Sequence, residues 1–599
     1  MAIRTLTELF FVAAGYDKPD CLLHKAGGEW QPIATRELVD RVQRLAKALR
    51  EIGVVRGDRV ALMAENGPHW PAVDFAALCS GAVLVPIYPT LLPEGASYIV
   101  NDSGAKVLFV QGQERLDGLL ALRKDMPQLQ HVVRIDGGSG KPGDGFTSLD
   151  ALLERGAGAD RAAFEAEAKK AQPDDLATFI YTSGTTGNPK GVMLTHGNIA
   201  SNVSSGAECI IIQRDYTALS FLPLSHSFER TVDYIYFYRG ATIAYAESVN
   251  TVPQNLVEVK PHVFVSVPRV YEKFQARVLD TVSKSPAWRQ RLFQWGLDLG
   301  REAMPYRLKN ERPPGLLGTK LAVADRLVFS KIKARLGGRF VFATSGGAPL
   351  ARELAEFFWA AGVPIYEGYG LTETSPVLTV NTPERARLGS VGPTIPGVSL
   401  QIAADGEILG KGPNIMKGYY NNPEATAEVI DSEGWFHTGD IGHLDADGFL
   451  FITDRKKELI VNAYGKNIAP APIENALKAS RYISQAVVLG DKRKFLTALV
   501  VPDFDALRPW ARAQGVSFAN DEELVKAPQV RKLIAAEVEP VNAKLARYER
   551  IQAWDLIPAE FTIEGGELTP TQKVKRRIIN TKYKDVIDAL YRAADAGGD

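Results

Sequence analysis

Cysteine is scarce. Three thiols in 599 residues, Cys21, Cys79 and Cys209, share no spacing that would pair them or form a metal knuckle, so a reducing compartment suits the chain. An excess of either charge is missing too. Seventy Lys and Arg balance 70 Asp and Glu, which removes the electrostatic argument for a nucleic-acid partner or a generally membrane-seeking surface. No apolar run reaches the ~18–20 residues that cross a bilayer. The first residues, where Glu8 interrupts the apolar stretch, do not read as a secretory signal. These absences leave a cytoplasmic protein as the expectation. The apolar stretch Leu6 to Ala14 has two readings: a helix packed on the body, or peripheral contact with the inner face of a membrane.

What is present is a long chain of ordinary globular composition, 45% hydrophobic and 23% charged. Its length exceeds the roughly 250–300 residues at which single cores stop growing, so two or more domains are expected. Short β-rich apolar runs at 59–63, 83–87, 106–110, 177–181, 218–222, 263–267 and 339–343 alternate with helix-length segments, one of them at 70–80. That alternation predicts an α/β fold with largely buried parallel strands. From about Gly389 glycines cluster and strands shorten, which predicts a β-rich subdomain; from Arg455 strand and helix patterns return. Segments 137–145 and 304–316 read as surface loops, and 280–335 receives no role.

The most informative segment follows an apolar strand: Tyr181-Thr182-Ser183-Gly184-Thr185-Thr186-Gly187-Asn188-Pro189-Lys190-Gly191. Glycine permits backbone angles that turn successive N–H groups toward one anion, hydroxyls add donors, and lysine adds a point charge. This is phosphate-binding chemistry, but not the Walker pattern. Pro189 disfavours helix before Lys190, so the loop is expected to join two strands.

These residues resemble the phosphate loop of the adenylate-forming enzymes, the family of acyl-CoA synthetases, firefly luciferase and peptide-synthetase adenylation domains. Further segments extend the resemblance over residues 25 to 580. Gly346-Gly347-Ala348, after a strand, resembles the lining of the family's adenine pocket. Glu367-Gly368-Tyr369-Gly370-Leu371-Thr372-Glu373 resembles the segment whose tyrosine stacks on adenine, whose threonine contacts phosphate, and whose glutamate helps hold Mg²⁺; Thr185 is the second metal ligand the resemblance implies. His437-Thr-Gly-Asp440 and Asp454-Arg455 flank a strand–turn–strand pattern, so a hairpin is expected to bring Asp440 beside Arg455. The resemblance gives Asp440 the ribose and Arg455 the ribose or phosphate. It also makes Lys457 the pivot of an inter-domain hinge, and Lys573, in the basic loop 568–577, the catalytic lysine. Thr372, Glu373 and His226 join Lys573 in the catalytic set, His226 beside the acyl carboxylate.

Phe221-Leu-Pro-Leu-Ser-His226-Ser-Phe-Glu-Arg230 resembles the long-chain fatty acyl-CoA synthetase subgroup. Tyr234, Tyr236 and Tyr238 read either as the wall of an acyl tunnel or as core. Tyr464-Gly465-Lys466 resembles the subgroup's coenzyme A channel, with a tyrosine where relatives tend to carry glycine. The fold implied is a large N-terminal domain (1–454) of layered α/β subdomains plus a β-rich subdomain, with a small mobile C-terminal α+β domain (455–599). The function implied is long-chain fatty acid–CoA ligation: fatty acid and ATP give acyl-AMP and pyrophosphate, then coenzyme A gives acyl-CoA and AMP, with Mg²⁺ as cofactor. Three alternatives stand beside it: an acyl-AMP ligase loading a carrier protein, a ligase for another hydrophobic acid, and a non-catalytic nucleotide-binding regulator.

Overall fold

The structure is a computed structural model. It describes residues 2–137, 145–182, 188–456, 458–464, 466–569 and 574–596. Contacts divide the chain into two compact units, one of Met1–Gln401, Leu409–Thr438 and Leu444–Leu450, the other of Ile402–Ile408, Gly439–His443 and Phe451–Asp599.

The first unit holds two eight-stranded sheets. One runs Gly418–Tyr419, Lys190–Thr195, Leu176–Thr182, Val83–Ile87, Arg59–Met63, Ala105–Val110, His131–Arg134, Thr147–Ser148. From Leu176–Thr182 outward to Thr147–Ser148 its neighbours are parallel. The other runs Val377–Val380, Ile365–Gly370, Phe342–Ser345, Val263–Ser266, Thr217–Ser220, Thr242–Tyr245, Leu22–Ala26, Glu29–Ile33, with antiparallel pairs at both edges. The central strands are buried on both faces, Val83–Ile87 at all five positions, which is why they read as continuous apolar runs. Helices cover them with apolar stripes: Leu38, Val42, Leu45 and Leu49 of Thr35–Glu51 point inward while its charged residues face out. A further sheet has the order Ser399–Ile402, Glu407–Lys411, Phe436–Leu444, Leu450–Arg455, in the glycine-rich region expected to be β-rich.

The second unit has its own core, built on strands Ile483–Leu489, Leu496–Pro502 and Ile551–Leu556 with helices such as Pro470–Lys478 and Pro528–Ala543. The α/β character read from the sequence is what the structure has.

Two local expectations change, and one open reading is decided. The strand expected at 339–343 lies at Phe342–Ser345. Gly337 and Gly338 turn the chain at φ 92° and 82°, and Arg339 is drawn to the carbonyls of Lys260 and Val259, so pairing begins later. The loop expected at 304–316 contains a helical turn, Met304–Arg307, held where Arg307 donates to the Ala360 carbonyl at 2.8 Å. The stretch Leu6–Ala14 is a helix capped by Thr5, and Leu6, Leu9 and Phe10 are buried, with the Phe10 ring 5.1 Å from Phe75. Leu6, Leu9 and Phe10 belong to the core, while Val12 is exposed. Among the described residues no helix is long and apolar enough to cross a membrane.

Candidate active site

The phosphate-loop segment is framed by two antiparallel strands, Leu176–Thr182 and Lys190–Thr195, with Thr182 opposite Lys190. A strand begins at Lys190, as Pro189 implied, rather than a helix. Ser183, Gly184, Thr185, Thr186 and Gly187 lie outside the described residues. Lys190 extends its ammonium over the Tyr419 ring, 5.0 Å from the centroid.

The same tyrosine reaches a second expected segment. Tyr419 Oη donates to Glu373 Oε1 at 2.8 Å. Glu373 sits in the short turn Thr372–Thr374 that follows the strand Ile365–Gly370. Asn414 Nδ2 donates to the Thr374 carbonyl at 2.7 Å, and the Met416 N–H to the Glu373 carbonyl at 2.8 Å, so the turn is held from below by backbone as well as side chain. A third segment joins through Thr372, whose hydroxyl lies 3.2 Å from Ser227 Oγ. Ser227 opens the helix Ser227–Arg239, and His226 is its N-cap, with Nδ1 accepting from the Phe228 N–H at 3.0 Å. The structure therefore brings Lys190, Thr372, Glu373 and His226 to one place through two residues that sequence reasoning missed, Tyr419 and Ser227.

Glycines here have identifiable reasons. A Cβ at Gly370 would stand 1.8 Å from the Pro376 carbonyl oxygen, where the strand bulges against Val377–Val380. A Cβ at Gly346 would meet the Phe228 ring at 2.9 Å, so this glycine lets the segment Gly346–Ala348 approach the helix that follows His226. Gly347 and Ala348 are exposed, and Tyr369 is half-buried between Gly368 and Gly370.

Glu367 lies on the same strand and is buried. Burial pushes its carboxyl up from an ordinary 4.5 to about 8, with the Gly389 backbone N–H drawing it partway back. At neutral pH it is a protonated acid and can donate a hydrogen bond. The folded state thus keeps a proton that the unfolded chain releases, so this group's stabilisation is full below the unfolded value and is lost as pH rises through the folded one. Glu367→Gln keeps shape and neutrality. Its melting temperature is expected to match the parent at about pH 5 and to exceed it at about pH 9. A variant that tracks the parent at both pH values would show that Glu367 ionises freely.

Two more buried carboxyls lie one turn apart behind the site, Glu229 and Asp233. Burial raises both, Asp233 to about 7, and Ser220 Oγ donates to Glu229 at 2.7 Å while Tyr245 Oη donates to Asp233 at 2.9 Å. The tyrosines left open as tunnel or core are helical: Tyr234 and Tyr236 are fully buried, and Tyr234 Oη donates to Asp74 at 2.6 Å, which makes them core.

In the second unit, Asp440 and Arg455 stand side by side as the hairpin pattern implied, Arg455 Nε to Asp440 Oδ1 at 3.1 Å, with Asp440 buried. Tyr464 is 71% exposed in a loop tied by Asn462, whose Oδ1 accepts from the N–H groups of Tyr464 and Lys466 at 3.0 Å each. Lys457, Gly465 and Lys573 lie outside the described residues. Among the described residues no three His, Cys, Asp or Glu side chains group to hold a metal.

Residues 12–420 match the family described as AMP-binding enzyme, and residues 457–595 match the AMP-binding enzyme C-terminal domain. The chain is 38% identical over 585 residues to the long-chain-fatty-acid–CoA ligase FadD15 of Mycobacterium bovis, covering 96% of this chain and 95% of that protein. It is 34% identical over 625 residues to the long-chain-fatty-acid–CoA ligase ACSBG1 of Mus musculus, covering 98% and 86%. The fold matches that of the anthranilate CoA ligase AuaEII in complex with anthranoyl-AMP, with a TM-score of 0.73 at 19% identity over 98% of both chains. It also matches the adenylation domain of a carboxylate reductase from Mycobacterium chelonae, with a TM-score of 0.75 at 24% identity over 98% of this chain and 91% of that one.

Proposed function

The chain belongs to the family of AMP-binding enzymes, and from that premise we propose that it is an ATP-dependent long-chain fatty acid–CoA ligase. The observation that carries the site assignment is the cluster in which Tyr419 joins Glu373 to Lys190 and Ser227 joins Thr372 to the helix headed by His226. It gathers a phosphate-type cation, a hard carboxylate and a hydroxyl where three expected motifs meet.

In the first half-reaction a carboxylate oxygen of the fatty acid bonds to the α-phosphorus of ATP, and the bond to pyrophosphate breaks. In the second, the coenzyme A sulfur bonds to the acyl carbon and AMP leaves. The obstacle in the first is like charge on both reactants, so positioning and charge neutralisation supply most of the catalysis. We assign Lys190 with Thr182–Gly187 to the phosphates, Thr372 to the α-phosphate, and His226 to the acyl carboxylate. Gly346–Ala348 and Glu367–Gly370, with the Tyr369 ring, take the adenine. Asp440 takes the ribose hydroxyls and Arg455 the ribose or phosphate. Lys573 takes the reacting carboxylate and α-phosphate, and Tyr464, Gly465 and Lys466 the coenzyme A path. The domain boundary and hinge are placed at 455–457, with Lys457 as pivot.

Glu373 also fits a magnesium ion. One carboxylate oxygen accepts from Tyr419 and the other has no protein partner among the described residues, the hard-oxygen donor that Mg²⁺ takes together with substrate phosphates. When bound, Mg²⁺ supplies charge neutralisation on the departing pyrophosphate; Tyr419 holds the carboxylate in place for it.

The test is turnover of purified protein with ATP, Mg²⁺ and a panel of carboxylates from acetate to oleate, with and without coenzyme A, reading pyrophosphate and AMP. Sustained turnover that needs coenzyme A and peaks with long chains is expected. A single-turnover burst that coenzyme A does not extend would retain adenylation and move the acceptor to a carrier protein; ATP binding with no pyrophosphate would refute catalysis altogether.

A further inference from the structure

The two buried carboxyls behind the site, Glu229 and Asp233, take no part in the ligase chemistry. They lie at i and i+4 on the helix Ser227–Arg239, so both point to one face, toward the parallel strands Thr217–Ser220 and Thr242–Tyr245. Ser220 and Tyr245 are register partners on those strands, and each serves one acid. Ser220 Oγ donates to Glu229 Oε1 at 2.7 Å, and Tyr245 Oη donates to Asp233 Oδ2 at 2.9 Å. The Phe221 N–H adds a second bond to Glu229 Oε1 at 3.0 Å. The remaining oxygen of each acid, Glu229 Oε2 and Asp233 Oδ1, is buried and has no partner among the described residues.

One proton answers both. A buried carboxylate oxygen without a donor is costly, and two like charges one turn apart repel in a core that screens them little. A proton held between Glu229 Oε2 and Asp233 Oδ1 satisfies both atoms. It leaves the pair one negative charge, which the Ser220, Phe221 and Tyr245 donors stabilise. Among the described residues no Lys, Arg or His bonds to either acid, and Arg230 is turned to Asp74. The other titratable groups facing the pair are Tyr236 on the same helix, Tyr245, Tyr271 from the helix Pro268–Ser283, and Cys21, which faces Tyr245. Burial pushes each of them up, Cys21 to about 11, so they stay neutral. Burial first, and then the Asp233 charge, holds the Glu229 carboxyl above the usual range.

We propose that Glu229 and Asp233 share one proton and act together as positioning residues for His226. This rests on the reading that His226 meets the acyl carboxylate. Through Ser220 and Phe221, Glu229 holds the end of the strand where the segment 221–225 begins. Asn66 holds the same segment, its Nδ2 donating to the Leu222 carbonyl at 2.7 Å and its Oδ1 accepting from the Leu224 N–H at 3.1 Å. His226 closes the segment, its N–H donating to the Pro223 carbonyl at 2.9 Å. Glu229 follows His226 by three residues on the helix, so one side chain ties the two ends of the segment that presents the imidazole. Loss of the shared proton puts a second charge in the core, and the repulsion falls on the helix that His226 heads. The folded pair keeps a proton that free carboxyls release, so His226 is held at low and neutral pH and loosened as pH rises through the pair's upper titration.

The experiment reads pyrophosphate release with dodecanoate and ATP, without a thiol, from about pH 6 to about pH 9. In the parent, KM for dodecanoate is expected to rise by about 10-fold or more across this range, with no matching change for ATP. Asp233→Asn and Glu229→Gln each place an amide donor where the shared proton stood and keep one carboxylate, so KM for dodecanoate is expected to stay level in both. Each amide is isosteric with its acid, and either variant alone carries the test if the other fails to fold. Infrared difference spectra at neutral pH, parent against Glu229→Gln/Asp233→Asn, are expected to show the C=O absorption of one protonated carboxyl. No such absorption, or the same rise of KM with pH in the parent and the amide variants, would overturn the proposal. His226→Ala separates the two readings: it is expected to raise KM for dodecanoate at every pH. If it does not, while the amides still flatten the profile, the pair keeps its shared proton and His226 is withdrawn from the acid.

Discussion

Replacing Lys573 with Ala is expected to slow acyl-adenylate formation by about 10²–10³-fold, the cost typical of removing one donor aimed at developing charge, while thiolysis of supplied acyl-adenylate stays within a few-fold of the parent. The asymmetry follows from the chemistry. Adenylation drives a carboxylate onto a polyphosphate, and the repulsion between them must be offset at the reacting oxygens. A fixed ammonium does this without reorganisation as charge moves from the acid to the bridging oxygen and the leaving pyrophosphate. Thiolysis has no such repulsion: the thiol meets an acyl carbon already activated by a good leaving group. The measurement is pyrophosphate release with fatty acid and ATP against acyl-CoA formation from synthetic acyl-adenylate. Equal loss in both halves would remove Lys573 from a role specific to adenylation.

Much of the fold was legible because its signals are local. The strand Arg59–Met63 follows Gly57 and the strand Val83–Ile87 follows Gly81, each a short apolar run after a turn, and the bounds expected from sequence are those observed. That strands flank the phosphate-loop segment, and that Asp440 stands beside Arg455, was legible for the same reason: strand, loop and strand are adjacent in the chain. What holds the site together is not local. Tyr419 reaches Glu373 across 46 residues and Ser227 reaches Thr372 across 145, and contacts at such separations leave no period in the sequence. Tyr234, Tyr236 and Tyr238 read either as the wall of an acyl tunnel or as core; the segment is a helix in which Tyr234 lies over Arg230, four residues back, and both are buried. One non-local contact did leave a trace. Asp74 stands alone among Trp70, Pro71, Ala72, Val73, Phe75 and Ala76, and a charge in such company is a charge that expects a partner.

That partner is Arg230, and breaking the pair is expected to cost stability on the order of 3–5 kcal/mol. Arg230 is 2% exposed. Its Nη2 donates to Asp74 Oδ1 at 2.6 Å and its Nε to Asp74 Oδ2 at 3.1 Å and to Tyr234 Oη at 2.9 Å, while Nη1 donates to Thr178 Oγ1 at 2.8 Å. Thr178 in turn donates to the Leu84 carbonyl at 2.6 Å, so one guanidinium ties the helix Ser227–Arg239 to the helix His69–Cys79 and to the strand Leu176–Thr182 that enters the phosphate loop. Arg230→Met keeps the stem but strands the Asp74 carboxylate in the core, and the first melting transition is expected to fall by roughly 10 °C. Arg230→Met/Asp74→Leu removes both charges, and most of that loss is expected to return, because an apolar pair of similar volume replaces a buried ion pair with little net cost. A single variant that melts with the parent would mean water or another group satisfies Asp74. The double variant then separates stability from positioning. Once it melts like the parent, a lasting fall in kcat with little change in KM for ATP would show that the guanidinium sets the registry between the helix headed by His226 and the strand leading to Thr182. Parental kcat in the stable double variant would confine the ion pair to folding.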